Sequence, residues 1–168
     1  MITLAATLFA CTTPDPEETP LEGPGFDERS GAFVGEGQTF VVALSHLQVK
    51  NRPAPGGRFG DHAEAIGNGL FEDEPEGWLG AAFRNVGQLN WWTMSVWTDE
   101  AAMLQWVVDE PHSTAMRDFS EITVGGEFKR LEVTADELPM TWERAMWELF
   151  EEPDKVAGET RWFRDGDL

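Results

Sequence analysis

From Trp91 to Trp97 the chain alternates, with Trp92, Met94 and Val96 on one side and Trp91, Thr93, Ser95 and Trp97 on the other. This two-residue period predicts a pleated strand with one wholly apolar face. At Thr98-Asp99-Glu100 the pattern changes. A hydroxyl able to cap a first-turn N–H precedes two carboxylates suited to the positive end of a helix dipole, which predicts a helix start. Within it, Ala101, Leu104, Val107 and Val108 fall on one side at spacings of three and four, while Asp99, Glu100 and Gln105 face water. Pro111 closes that helix and suits the first turn of another, so His112 opens a second short helix whose Ala115, Met116 and Phe119 share its face.

The rest of the chain follows the same two periods. Thr39 to Val49 reads as a strand covered on both sides, with His46 sharing a face with Phe40, Val42 and Leu44. Residues 51–57, rich in Pro and Gly, read as a loop. A helix follows, with Phe59, Ala63, Ile66 and Leu70 inward and His62 on another, exposed face. After an acidic turn, Trp78 to Asn85 forms a second strand, and Val86 to Asn90 is short enough to make an antiparallel hairpin with the third. Gly125-Gly126 leads into a fourth strand over 127–133, and Pro139 precedes a last helix with Trp142, Ala145, Met146, Leu149 and Phe150 on one side. The order β-α-β-β-α-β with a terminal helix predicts an α+β, ferredoxin-like domain over residues 38–150. Residues 11–37, rich in Pro, Gly, Glu and Thr, read as a flexible acidic tether, and 151–168 as a polar C-terminal tail.

With 168 residues the chain holds one domain of sizeable core. Its 12 Lys and Arg against 31 Asp and Glu give a net charge of -19. Such a surface repels phosphate backbones and anionic lipid, which excludes nucleic acid as a partner. A single cysteine, Cys11, permits no intrachain disulfide and no cysteine-based metal cluster. No two histidines stand at a metal-ligand spacing, and there is no glycine-rich phosphate loop or nucleophile elbow. Eight Trp and no Tyr leave indoles as core fillers or as walls for a flat ligand.

The apolar run of residues 1–10, ending Leu8-Phe9-Ala10-Cys11, resembles a bacterial lipoprotein signal, although no Lys or Arg precedes it and Phe9 is bulky for its place. That resemblance implies a lipid on Cys11 and a membrane-anchored protein of the cell envelope; the alternative is a cytoplasmic chain with an uncleaved leader.

The run from Trp92 to Met103, Trp-Thr-Met-Ser-Val-Trp-Thr-Asp-Glu-Ala-Ala-Met, and the later Pro-His-Ser-Thr-Ala-Met-Arg of 111–117 resemble the dimeric α/β-barrel superfamily. Within it, the antibiotic-biosynthesis-monooxygenase-like proteins, and among them the group similar to spheroidene monooxygenase, match best, from about Phe40 to Phe150. The resemblance implies a homodimer in which two sheets face each other, and a monooxygenase-like protein that binds a hydrophobic small molecule. In one form the cofactor is haem, with His112 as axial ligand and Trp97, Trp106 and Met116 as walls. In the other no cofactor is needed, and Asn85, Trp91, Trp97 and His112 hold an aromatic substrate. The alternative is a non-catalytic binding or structural domain in which His112 is a packing residue and Trp97, Trp106, Met116 and Phe119 fill the space. His46 is expected at a strand end or an interface.

Overall fold

The computed structural model describes residues 16–151 and 153–158. The chain runs β1 (Glu17–Glu18), β2 (Thr39–Val49), α1 (Pro53–Phe71), β3 (Trp78–Val86), β4 (Asn90–Trp97), α2 (Glu100–Val108), α3 (His112–Ile122), β5 (Thr123–Thr134), a 3-10 turn (Ala135–Glu137), α4 (Trp142–Glu151) and β6 (Lys155–Gly158). The strands form one sheet in the order β1-β3-β4-β2-β5-β6, with every neighbouring pair antiparallel. The four long strands thus stand in the order second, third, first, fourth. This is the α+β, ferredoxin-like arrangement that the periodicity predicts.

Local chemistry explains where the elements begin. α1 starts at Pro53, inside the stretch expected as a loop, because the first turn of a helix has no use for the N–H that proline lacks. α2 is capped by Asp99 rather than Thr98: the Asp99 carboxylate accepts the Ala102 N–H at 2.9 Å. β5 is longer than expected and takes in Gly125 and Gly126. Gly126 belongs there since a Cβ on it would come within 2.6 Å of the His46 carbonyl oxygen. Behind β5, Thr134 and Glu137 form a capping box in which Glu137 accepts the Thr134 N–H at 2.8 Å and an Arg144 N–H at 2.7 Å. These bonds hold the Glu137 carboxyl at a pKa of about 2.

The expected tether is, over its described part, a packed segment. Glu17 and Glu18 pair with Asn85 and Arg84, and the backbone continues along β3 through bonds from Thr19, Glu22 and Gly25. Phe26 is buried over Gly80, where a Cβ would come within 2.7 Å of its ring. Phe26, Phe33 and Phe40 then stack edge to face at 5.3 and 4.7 Å. Composition averaged over the segment hides this, because a few apolar side chains suffice when they land on an open sheet edge. β6 likewise covers the opposite edge with residues expected to be loose. The signal-like run of residues 1–10 and Cys11 lie outside the described residues.

Both sheet faces are covered. The face carrying Val41, Ala43, Trp78, Ala81 and Trp97 packs on α1 and α2 through Ile66, Leu70, Met103 and Trp106. The face carrying Phe40, Val42, Leu44, Met94 and Val96 packs on α4 and the N-terminal segment through Ala145, Leu149, Leu21 and Phe26. α4 and the N-terminal segment therefore occupy the ground that a second protomer's sheet would cover in a barrel closed face to face. No helix among the described residues is long and apolar enough to cross a membrane.

Two outcomes follow from this packing. Phe26→Ala should lower the stability of the domain by about 3–5 kcal/mol, as for other buried aromatic truncations; a urea midpoint equal to wild type would return the segment to the status of a tether. The stability contributed by the Glu137 carboxylate is complete above its ordinary value of 4.5 and lost as pH falls toward about 2. Acid titration of Glu137→Gln should accordingly show a shallower loss across that window than wild type.

Candidate functional site

The register of the four central strands places one residue of each on a single transverse rank. Arg84 on β3 lies opposite Trp92 on β4, Trp92 opposite His46 on β2, and His46 opposite Glu127 on β5. β1 extends the rank by one, with Glu18 opposite Arg84. All of these residues point to the α4 side of the sheet, since side chains directly opposite in a ladder share a face. The next rank adds Asn90 and Gln48, which are paired with each other.

The rank is continuous in its contacts. Glu18 and Arg84 form an ion pair. The Arg84 guanidinium lies 5.8 Å from the centre of the Trp92 ring, within cation–π range. Trp92 stacks on His46 with centroids 4.5 Å apart and planes 17° from parallel. His46 Nδ1 is 2.6 Å from Glu127 Oε2, the length of a charge-assisted bond. His46 and Glu127 have 1 % and 0 % of their surface exposed. Phe150 of α4 closes the rank with its ring edge-on to His46 at 5.8 Å. Between Leu44 and Trp92 below and Trp142, Ala145, Met146 and Leu149 above runs a seam too narrow for a water molecule.

Several buried polar atoms of these two ranks have no hydrogen-bond partner among the described residues: His46 Nε2, Glu127 Oε1, Arg84 Nε, Asn90 Oδ1 and Gln48 Oε1. Each such atom costs about 1–3 kcal/mol, and folded chains leave few of them. When Glu127 is ionised and the imidazole neutral, the carboxylate accepts the His46 Nδ1–H, and Nε2 is then left as an acceptor. This is the geometry of an oriented general base, with its imidazole held by a buried carboxylate and its second nitrogen unspent. Neighbouring it are an aromatic face and a guanidinium with an unspent Nε–H.

The residues singled out from sequence lie away from this rank and do not converge on one site: Asn85 meets Trp91 at one end of β4, and Trp97 meets Trp106 at the other. His112 is half-buried at the α2–α3 junction, with Nδ1 3.2 Å from the Val107 carbonyl oxygen. That junction is clamped by Glu110, which accepts bonds from Thr114 and Arg117 and has its carboxyl held at about 2. Trp97 is buried in the core against α1 and α2, its indole N–H bonded to Ser95 at 2.9 Å. Trp91 stands at the other end of the same strand, its ring tilted 48° against Phe59 at 5.3 Å, with its N–H on the Gln88 carbonyl. Asn85 lies opposite Trp91 and reaches Glu17 at 3.5 Å. Met116 is exposed.

A haem does not fit beside His112. The Trp106 ring presses on α1 so closely that a Cβ on Gly69 would come within 2.7 Å of it and 3.3 Å of Pro111. Trp97 lies behind, 6.4 Å from Trp106. The described residues offer no cluster of metal-ligating side chains either. His62, expected to be exposed, is mostly buried between α1 and α3 and lies 3.1 Å from Asp118.

Sequence reasoning missed Glu127, Arg84 and Asn90 and undervalued His46. One signal was present: His46 shares its face with the apolar Phe40, Val42 and Leu44, whereas Glu127 shares its face with Lys129 as well as Leu131 and Val133 and carries no such signal. What was absent was the pairing of the first strand with the fourth.

No family model matches the chain, and no curated protein matches it. Among solved structures, a protein of unknown function from Nitrosomonas europaea aligns over 62 % of this chain and 98 % of its own, with a TM-score of 0.48 and 14 % identity. A candidate monooxygenase from Fusobacterium nucleatum aligns over 74 % of this chain and 48 % of its own, so that this chain spans about half its length, with a TM-score of 0.48 and 14 % identity. SnoaB, a cofactor-independent oxygenase from Streptomyces nogalater, aligns over 60 % and 97 % with a TM-score of 0.44 and 14 % identity. Likeness at this level concerns the path of the chain and carries nothing about chemistry.

Burial lowers the pKa of His112 below its ordinary 6.5, a shift only partly opposed by the Val107 carbonyl. The unfolded chain therefore binds the proton more readily than the folded one. The stability tied to neutral His112 is complete above about pH 6.5 and lost as pH falls through the lowered folded value. Comparing urea midpoints at pH 7.5 and 5, wild type should lose more than His112→Gln. Equal losses in the two proteins would remove the residue from the acid response.

Proposed function

We propose that the chain is an enzyme whose base is His46, oriented by Glu127, and whose substrate is a flat hydrophobic molecule with an ionisable proton. The observation that carries this reading is the dry His46–Glu127 pair with its Nε2 unspent. A buried polar pair contributes little to stability that apolar residues of similar volume could not, and this one stands beside a stacked indole and a guanidinium. Proton removal by His46 makes an electron-rich ring an anion able to pass an electron to dioxygen. The monooxygenase-like chemistry implied by the sequence resemblance thus has a starting point at this rank. Entry requires the last turn of α4, with Leu149 and Phe150, to lift from the sheet. In this reading His112 is a packing residue of the helix junction, and a homodimer uses a surface other than the sheet face under α4.

The second reading is a non-catalytic domain in which the rank fixes the register of four strands; the complete burial of His46 and Glu127 favours it. One experiment separates the two. Titration calorimetry of the full chain with 1-naphthol, and with 1-methoxynaphthalene, which lacks the acidic proton, should show saturable binding of the naphthol that is at least tenfold tighter. The double variant His46→Leu/Glu127→Met should lose that preference while its urea midpoint stays at or above wild type. A double variant that no longer folds, together with a wild type that binds neither compound, would establish the structural reading.

A further inference from the structure

We propose that the outer face of α4 is a docking surface for an arginine-bearing segment of a partner protein, with Trp147 as the platform for a guanidinium and Glu143 and Glu151 as its acceptors. Docking there is independent of the reading of His46 as a base, because the stripe lies on the side of α4 turned away from the sheet.

Trp147 takes no part in the core. The helix turns Ala145, Met146 and Leu149 inward, and 3.6 residues per turn put position 147 on the opposite side. Its exposure of 63 % contrasts with Trp78, Trp92 and Trp97, none of which exceeds 4 %. Among the described residues neither a ring nor a cation covers this indole. A bare indole suits an anchor of protein contacts, where Trp and Arg carry much of the binding energy.

The flanking charges select the partner. Glu143 and Glu151 stand four residues before and after Trp147, so helix geometry sets each about 6 Å from it on the same stripe. Both are exposed, and neither has an ion pair among the described residues. Arg144, the one basic residue of the helix, is spent on Glu137 at 2.7 Å and lies 3.9 Å from Glu148. It leaves the charge of the stripe uncompensated. The surface is thus an aromatic face between two free carboxylates. A guanidinium suits it better than an ammonium, since its plane stacks on the indole while its edge N–H groups reach carboxylate oxygens.

The whole chain reinforces that choice. A net charge of -19 draws cationic segments over long range. The same charge repels anionic lipid and a second copy of the chain.

Calorimetry on the full chain at physiological ionic strength, with hexa-arginine and hexalysine amides as probes, tests this. The arginine peptide should bind about three- to tenfold tighter than the lysine peptide, which carries the same charge. Trp147→Ala should bring the two peptides level, and Glu143→Gln/Glu151→Gln should weaken the arginine peptide by about threefold or more. Glu64→Gln/Glu72→Gln, which removes two equally exposed carboxylates from α1, should keep the preference for arginine. Every one of these sites is exposed, so urea midpoints should stay at the wild-type value. If the two peptides bind alike in wild type, or the preference survives Trp147→Ala, general charge attraction accounts for the binding and the docking surface is overturned. Sedimentation velocity and flotation with phosphatidylcholine vesicles address the other occupants. Self-association or vesicle binding that Trp147→Ala abolishes would give the stripe to a second copy or to a lipid surface, and would overturn the arginine-bearing partner.

Discussion

The bond between His46 and Glu127 is the constraint on which the rest of the structure turns. An imidazole and a carboxylate at 2.6 Å, both removed from water, sit on neighbouring central strands. A polar group taken out of solvent is costly unless it is closely paired. The fold meets this requirement through register. β2 and β5 are paired along nearly their full length, so that His46 and Glu127 fall opposite one another. Gly126 lets the two backbones approach where a side chain would collide with the His46 carbonyl. The pair cannot slip by one residue without placing each partner on opposite faces.

Sealing that pair explains the additions to the ferredoxin-like core. The seven elements from β2 to β5 would leave one sheet face bare, since α1, α2 and α3 pack on the other. α4 crosses the bare face with Ala145, Met146 and Leu149, and its Phe150 meets His46. The N-terminal segment closes the β3 side with Leu21, Phe26 and the ion pair from Glu18. Water is thereby excluded from a rank of polar groups. In a low-dielectric setting their interactions strengthen, and so does the penalty of every valence left open. Most of the open valences among the described residues lie on the α4 side, while the α1 and α2 side holds Trp97, whose N–H is spent on Ser95, and Trp78, whose N–H has no partner among them.

Much of the architecture was legible in sequence because it is written in short-range periods. β2 spans the predicted residues, β3 and β4 do so within one residue, and the inward face of α4 contains the predicted Ala145, Met146 and Leu149. Misjudged boundaries had local causes: Pro53 opening a helix instead of a loop, Asp99 capping in place of Thr98, glycines carried inside β5 by a close backbone approach. The N-terminal segment was misread because its few apolar residues gain their value from a distant edge strand.

The sequence by itself determined the fold class, the order of elements and the fact that His46 belongs to an apolar strand face, since alternation and helical spacing depend on neighbours within a few residues. It drew attention to His112 and to Trp91, Trp97 and Trp106 because they cluster along the chain. Only the tertiary structure decided that Trp91 stands apart from Trp97 and Trp106, which pack together, and that Glu18, Arg84, Trp92, His46 and Glu127, from five strands spread over more than a hundred residues, form one rank. The physical reason is that a sheet brings together residues by hydrogen-bond register. Register is a property of pairs of strands, and no single strand's pattern contains it.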